Sequence, residues 1–363
     1  MNKTSTKKVC IIVYALGGGG AERSSATLSQ ILYDLGYDVH IVTVLDIVDY
    51  PYKGQLLNLG KLKANDDSFL GRIKRLFVFK NYLKEKDIEI VIDSRPRVQA
   101  YREFIITKFV YKIPVIYVLH NFNYKKAFTP YKRLNKFLYK NKKMVTVSKA
   151  AENQYKKAYA LNDVETIYNG FDFESICKSA DQKVNNGLTT YITYFGRLDD
   201  EHKNLKLLFD AYKLSKIADR NIKLLVLGSG PDEASLIEYV NEIGVRDFIV
   251  FHGFEKNPYP LVKNSLFTVL TSRYEGFPMV IPEALALGVP VVSVDCKSGP
   301  NEVIVNEQNG LLVENHNVEA FAKAMNRMIE DKDLYLRCKA NAKSSVEHLS
   351  KENIGKQWKA ILQ

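Results

Sequence analysis

Two glutamates, Glu275 and Glu283, stand with seven residues between them in the stretch "SRYEGFPMVIPEALALGVPVVS". The first follows an apolar run, "SLFTVLT", that reads as a strand; the second falls just inside the helix that follows. A carboxylate beside a buried sheet is costly unless a partner or a ligand takes up its charge. Upstream, "FGRLDDEHKNLKLL" places Arg197 at a strand end and Lys203 near a helix start. An arginine fork can hold two phosphate oxygens and a lysine adds a compact positive charge, although the spacing fits a solvated surface pair equally well. Two glycine loops, "GGGGAERSSATLSQIL" and "LGSGPDEASL", each follow a strand and open a helix, the arrangement that exposes backbone N–H groups to an anion. Neither meets the G-x-G-x-x-G fingerprint, because Glu22, Arg23 or Glu233 takes the third glycine's place, so a nicotinamide dehydrogenase is disfavoured. His120 ends the run "PVIYVLH"; the other five histidines are scattered, which argues against zinc. The D-x-D of Asp331 and Asp333 lies in a charged helical stretch away from any strand end, so no carboxylate-bound metal is expected.

The elements that must position these groups are legible as two series. "KVCIIVYAL", "DVHIVTVL", "IEIVID", "PVIYVL" and "KMVTVS" form one; "TYITYFG", "KLLVLG", "FIVFHG", "LFTVLTS" and "VPVVSV" form the other. Continuous apolar runs separated by helices mean parallel strands covered on both faces. The simplest architecture is therefore α/β, two Rossmann-like doubly wound parallel-sheet domains facing across a cleft. The expected division is a domain over 1–168, a polar linker over 169–190 and a second domain over 191–349, with a helix at 350–363 returning to the first. Ligands of such sheets sit at the carboxyl ends of the strands, where the residues above fall.

At 363 residues the chain is comfortable for two domains. It holds no apolar run near the roughly 20 residues that span a bilayer, and "VCIIVYAL" reads as a buried strand and not as a signal peptide. Four separated cysteines with no C-x-x-C give neither a metal knuckle nor a disulfide framework, so a reduced, cytoplasmic setting is expected. The net charge of +11 is concentrated: Tyr101 to Ala160 carries fourteen Lys and Arg against Glu103 and Glu152. That segment also holds thirteen of the forty Phe and Tyr residues. Within it "YKRLNKFLYKNKK" sets Tyr131, Leu134 and Leu138 at helical spacing beside Lys132, Arg133, Lys136 and Lys140. This composition predicts a helix lying in an anionic membrane surface with its aromatics down and its cations toward the headgroups.

The stretch "SRYEGFPMVIPEALALGVPVVSVDCKSGPNEVI" resembles the signature of the retaining, nucleotide-sugar-dependent glycosyltransferases of family 4, the "glycosyl transferases group 1" proteins with the GT-B fold. The likeness extends to "GGGGAERS", "FGRL" with "HKNL", "LLVLGSGP" and the closing "SKENIGKQWKAIL", nearly the whole chain. The resemblance implies that Glu275 binds hydroxyls of the transferred sugar, Glu283 the ribose hydroxyls, and Arg197 and Lys203 the diphosphate. It makes Glu275, His120, Arg197 and Lys203 the catalytic set. Donor binding would add Gly18, Gly19, Gly228, Gly230, Phe254, Gly276, Phe277, Pro278 and Met279. Glu22, Arg23, Arg95 and Asn121 are the acceptor-side candidates. Pro282, just before Glu283, departs from a smooth helix start and would cost a hydrogen bond if the helix began at Pro278.

The reaction so implied passes a hexose or N-acetylhexosamine from a UDP-sugar to a hydroxyl of a polysaccharide or lipid-linked glycan, with retention and without a metal or other cofactor. An undecaprenyl-diphosphate-linked acceptor, lipopolysaccharide or capsule biosynthesis, and peripheral attachment to the inner face of the cell membrane belong to the same expectation. Rival readings are a GT-B-fold nucleotide-sugar epimerase, which would need no acceptor, and a basic nucleic-acid or anionic-glycan binder. The second explains the charge but not the glutamate pair, so no nucleic-acid partner is expected.

Overall fold

The computed structural model describes residues 6–184 and 187–363. Residues 1–5 of the expected first domain, and Asn185 and Asn186 of the expected linker, lie outside the described residues. Packing divides the chain into unit 1, Met1–Phe171 with Lys351–Gln363, and unit 2, Asp172–Ser350.

Unit 1 is built on seven strands: β1 Lys8–Val13, β2 Asp38–Thr43, β3 Gln55–Asn58, β4 Ile90–Asp93, β5 Val115–Leu119, β6 Met144–Thr146 and β7 Val164–Thr166. They lie in the order β3-β2-β1-β4-β5-β6-β7, every pair parallel. Strand order reverses between β1 and β4, so the glycine loop after β1 and Ser94 after β4 share the switch point where such sheets bind ligands. β1 reads "KVCIIV" with five of six residues buried, as a strand sandwiched between helix layers must. β3 ("QLLN") and β7 ("VET") are the outermost strands; they are short and only partly buried, so they carry no apolar run to betray them. The Lys351–Leu362 helix packs on the Gly20–Asp34 helix and buries Ile354 and Trp358.

The aromatic wealth of the basic segment is largely core. Tyr117, Phe128, Tyr139 and Tyr155 are buried, with Tyr139 centred 5.2 Å from Tyr117 and 5.1 Å from Phe128. The Lys132–Tyr139 helix turns Leu138 and Tyr139 into this cluster and rests Leu134 against it. Of the three residues set at helical spacing on the expected membrane helix, Leu134 and Leu138 are held by the unit's own core, and Tyr131 alone is exposed.

Unit 2 has six parallel strands: β8 Tyr191–Phe195, β9 Lys223–Leu227, β10 Ile249–Gly253, β11 Thr268–Leu270, β12 Val291–Asp295 and β13 Gly310–Glu314. Their order is β10-β9-β8-β11-β12-β13, with the switch between β8 and β11. The stretch read as linker is not all linker. Phe173–Ser179 is a helix packed on the Tyr259–Lys263 and Val280–Ala286 helices, and Asp172 caps it by accepting from Ser175 N–H at 3.0 Å. Among the described residues no helix is long and apolar enough to cross a membrane.

Candidate functional site

The two strands flanking the unit 2 switch point bring Arg197, Lys203 and Glu275 into one neighbourhood. Glu275 closes the loop after β11 and is buried. Lys203 Nζ lies 2.6 Å from Glu275 Oε1, which also accepts from Ser272 Oγ at 2.6 Å. Oε2 accepts no hydrogen bond among the described residues. Burial works to raise the Glu275 carboxyl, but the Lys203 ammonium and these hydrogen bonds outweigh it and hold the group below its ordinary range. Glu275 is therefore an anion with one oxygen paired and one uncommitted.

Lys203 is placed by lacing between two loops. Asp199 caps the Asp200–Lys203 turn, accepting from His202 N–H at 3.3 Å. Thr271 Oγ1 donates to Lys203 O at 3.0 Å, and Arg273 N–H donates to His202 O at 2.9 Å. His202 Nε2 lies 2.7 Å from Tyr274 O, and a carbonyl can only accept, so Nε2 carries the proton. Burial, then Lys203, lowers the His202 pKa and keeps the ring neutral. His202 and Ser272 escaped the sequence reading. The only signal for His202 was its position immediately before Lys203.

Arg197, at the end of β8, is mostly exposed, and its nearest acid is Asp199 at 4.0 Å. The guanidinium is open to a ligand, while Tyr194 Oη fixes the backbone by donating to Arg197 O at 2.9 Å. Gly228 serves the fold: its N–H donates to Gly253 O at 2.8 Å, and a Cβ there would run into Gly196 O. Gly230 is held close in the same way, against Leu198 O. Phe254 stands exposed after β10.

The loop from Gly276 to Met279 leads into the Val280–Ala286 helix. Gly276 O accepts from Ser298 Oγ at 3.0 Å, Phe277 is buried, and Pro278 packs where Gly299 leaves room for it. Pro282 is the third residue of that helix, within the first turn, where a backbone N–H has no intrahelical acceptor to lose. Glu283 follows in the same turn, buried, its N–H reaching Met279 O at 3.3 Å.

In unit 1 the Gly17–Gly19 loop precedes the Gly20–Asp34 helix. Gly18 adopts φ +86° with open space around it, the conformation that a side chain disfavours. Gly19 is the N-cap, Arg23 N–H donates to Gly19 O at 3.0 Å, and Glu22 lies in the first turn with its carboxyl raised by burial. His120 shares a cavity of about 20 Å³ with Ser24, Ser94, Asn169 and Trp358. Both its ring nitrogens are shielded and without a hydrogen-bond partner among the described residues. Burial, then the Arg97 guanidinium, pushes its pKa down to about 4, so His120 is neutral. Asn121 uses its amide oxygen to accept from Asn123 N–H at 2.8 Å.

Arg95 requires correction. It is buried, donating to Asp93 Oδ1 at 3.0 Å and Oδ2 at 2.7 Å, with Glu103 Oε2 and Tyr111 Oη each at 3.5 Å. A guanidinium enclosed by two carboxylates has no face left for an acceptor, and the role expected for Arg95 is withdrawn.

Comparison with known proteins gives matches along both units. The family model described as "Glycosyltransferase Family 4" matches residues 18–175, and "Glycosyl transferases group 1" matches residues 178–345. Among curated relatives, an N-acetylgalactosamine-N,N'-diacetylbacillosaminyl-diphospho-undecaprenol 4-alpha-N-acetylgalactosaminyltransferase of Campylobacter jejuni is 29% identical, covering 96% of this chain and 98% of its own. A lipopolysaccharide 1,6-galactosyltransferase of Escherichia coli is 33% identical over 48% of each chain. Among solved structures, Anabaena Alr3699/HepE in complex with UDP superposes with a TM-score of 0.76 at 19% identity, over 98% of this chain and 99% of that one. That likeness shows the fold, two Rossmann-like parallel-sheet units of the GT-B type.

Proposed function

We propose that this chain, which belongs to the glycosyltransferases that join a family 4 half to a group 1 half, moves a hexose or N-acetylhexosamine from a UDP-sugar to a glycan hydroxyl. The observation that carries the reading is the Lys203–Glu275 pair beside the open Arg197 at the unit 2 switch point. Arg197 and Lys203 take the diphosphate. The uncommitted Oε2 of Glu275 accepts from the transferred sugar's hydroxyls, and Glu283 accepts from the ribose. Diphosphate binding draws Lys203 partly away from Glu275, which frees a second acceptor oxygen as the donor seats.

Transfer with retention breaks the bond between the anomeric carbon and the diphosphate oxygen. It forms a bond from the acceptor oxygen on the same face, and the acceptor's proton passes to the departing diphosphate. The protein's part is to hold the donor and stabilise the leaving charge with Arg197 and Lys203, in place of a divalent cation. Unit 1 takes the acceptor, and neutral His120 stands beside the donor sugar, the place the resemblance implies for it. The acceptor is a lipopolysaccharide-type or undecaprenyl-diphosphate-linked glycan, met at the cytoplasmic side of the cell membrane; the relatives' substrates support this class.

A thermal-shift and hydrolysis screen across nucleotide sugars tests the reading, because a ligand that binds only the folded state raises the melting temperature. UDP and one or more UDP-sugars should stabilise the protein, and slow hydrolysis should identify the donor. Stabilisation by NAD or by no nucleotide at all would overturn it.

A further inference from the structure

The chain thickens from an α-helix, Ala100–Ile105, into a π-turn at Ile106–Val110, marked by Tyr111 N–H donating to Ile106 O at 2.9 Å. The change has a geometric result. Residues five apart lie about 140° away from one another around an α-helix but on nearly the same side of a π-turn. Phe104 and Phe109 therefore meet on the outside, edge to face with centroids 6.2 Å apart, while Ile106 and Val110 go inward. Tyr101 and Ile105 continue the same exposed ledge. Lys108 extends it to the next helix by laying its ammonium 4.2 Å above the ring of Phe137, which is 63% exposed.

Among the described residues nothing covers these rings, and the charges among them have one sign. Lys108 and Lys112 flank the π-turn; Arg133, Lys136 and Lys140 flank Phe137, all exposed. The only acid between Tyr101 and Ala151 is Glu103, buried and held by Arg95 and Arg102. Exposed phenylalanines with an aliphatic neighbour and a ring of lysines match a lipid interface, where rings enter the acyl boundary and ammonium groups meet headgroup phosphates.

We infer that this ledge, Tyr101–Phe104–Ile105–Phe109 with Phe137, docks the protein on an anionic lipid bilayer. The inference rests on the lipid-linked acceptor of the proposed function and names the surface that reaches it. It differs from a docking helix built on Leu134 and Leu138, since those side chains are spent in the core.

Vesicle co-sedimentation with phosphatidylglycerol–phosphatidylcholine mixtures tests it. Binding should require phosphatidylglycerol and weaken as salt rises. It should fall about tenfold or more in the Phe104→Ser/Phe109→Ser/Phe137→Ser variant, and likewise in Lys108→Gln/Arg133→Gln/Lys136→Gln. Both variants alter exposed side chains, so melting temperature and turnover of a water-soluble acceptor should be kept. Phe137→Trp gives a second readout against the single, buried Trp358: its emission should shift to the blue on anionic vesicles only. Equal binding to pure phosphatidylcholine, or a serine variant that binds like the parent, overturns the inference. So does single-stranded DNA that binds as tightly as vesicles with no loss in the serine variant, because the patch is then a polyanion site. Sugar turnover without vesicle binding removes the docking inference alone. Vesicle binding by the ledge without turnover of any UDP-sugar supports docking and removes the proposed function.

Discussion

Replacing Lys203 by Met tests the central pair directly, because it keeps most of the aliphatic stem and deletes the charge. Glu275 would then be a buried carboxylate whose remaining named support is Ser272 Oγ at 2.6 Å. Removing one partner of a buried pair costs about 3 to 5 kcal/mol, and the lower end applies here because Ser272 remains and the carboxyl can take up a proton. For a unit the size of Asp172–Ser350, about 3 kcal/mol corresponds to a drop of roughly 6 to 12 °C in melting temperature. Glu275→Gln in the same background should recover part of the loss, giving a coupling of about 2 kcal/mol in the double-mutant cycle. The pH dependence follows from the lowered Glu275 pKa: the unfolded chain binds its proton first, so the pair's contribution is full above about 4.5 and is lost as pH falls through the lower folded value. The gap between parent and Lys203→Met should therefore narrow below that pH. Calorimetry at pH 7.5 and in acid reads both. A Lys203→Met protein within 1 °C of the parent, or additive single mutants, would refute the reasoning.

Four further outcomes are expected. With free UDP in isothermal titration, Glu283→Ala should weaken binding more than Glu275→Ala does, whereas Glu275→Ala should mainly lower kcat; the reverse order would exchange their roles. Turnover in excess EDTA should match turnover with added magnesium or manganese, and activity restored only by manganese would sink the metal-free reading. Arg95→Met should destabilise unit 1 by about 3 to 5 kcal/mol through its stranded carboxylates while leaving the acceptor KM unchanged below the melting temperature; a raised KM with unchanged stability would return Arg95 to the site. His120, with its pKa lowered to about 4 from an ordinary 6.5, should still be neutral at pH 5.5 by ring NMR shifts. It also makes stability decline as pH falls from about 6.5 toward 4, since the unfolded chain takes the proton first. Protonation near 6.5 would show the ring to be solvated.

What the sequence revealed and concealed follows from the range of each signal. Of the thirteen strands among the described residues, ten announce themselves as apolar runs; burial on both faces demands this of the inner strands, and the edge strand β10 reads as "FIVFHG" although only Ile249 is buried, whereas the edge strands β3, β7 and β13 leave a weaker pattern. The glutamate spacing was legible since strand end and helix start are adjacent in the chain. The pairing of Glu275 with Lys203 was not, because they stand 72 positions apart and only the β8–β11 adjacency joins their loops. Arg95 looked like a ligand fork at a strand end; its two carboxylate partners lie in different elements, and burial cannot be read from residue type. Leu134 and Leu138 had the right helical spacing for a membrane face, but spacing marks an apolar stripe without saying what covers it. The π-turn left no trace in periodicity, and the aromatic ledge depends on it.

The Lys351–Leu362 helix has a consequence for the order in which the protein is made. It packs on the Gly20–Asp34 helix, with Ile354 against Gly170 and Trp358 beside the His120 cavity, yet the ribosome makes it only after all of unit 2. Unit 2 has its whole sheet in one continuous stretch and can complete its core during synthesis. Unit 1 emerges first and finishes last: until those closing residues arrive, the floor beneath His120 stays open to solvent. The nascent chain can thus possess a finished Lys203–Glu275 pair while unit 1 still lacks its last wall, so premature termination between about 350 and 363 should yield a protein with one sound half and one that chaperones must hold.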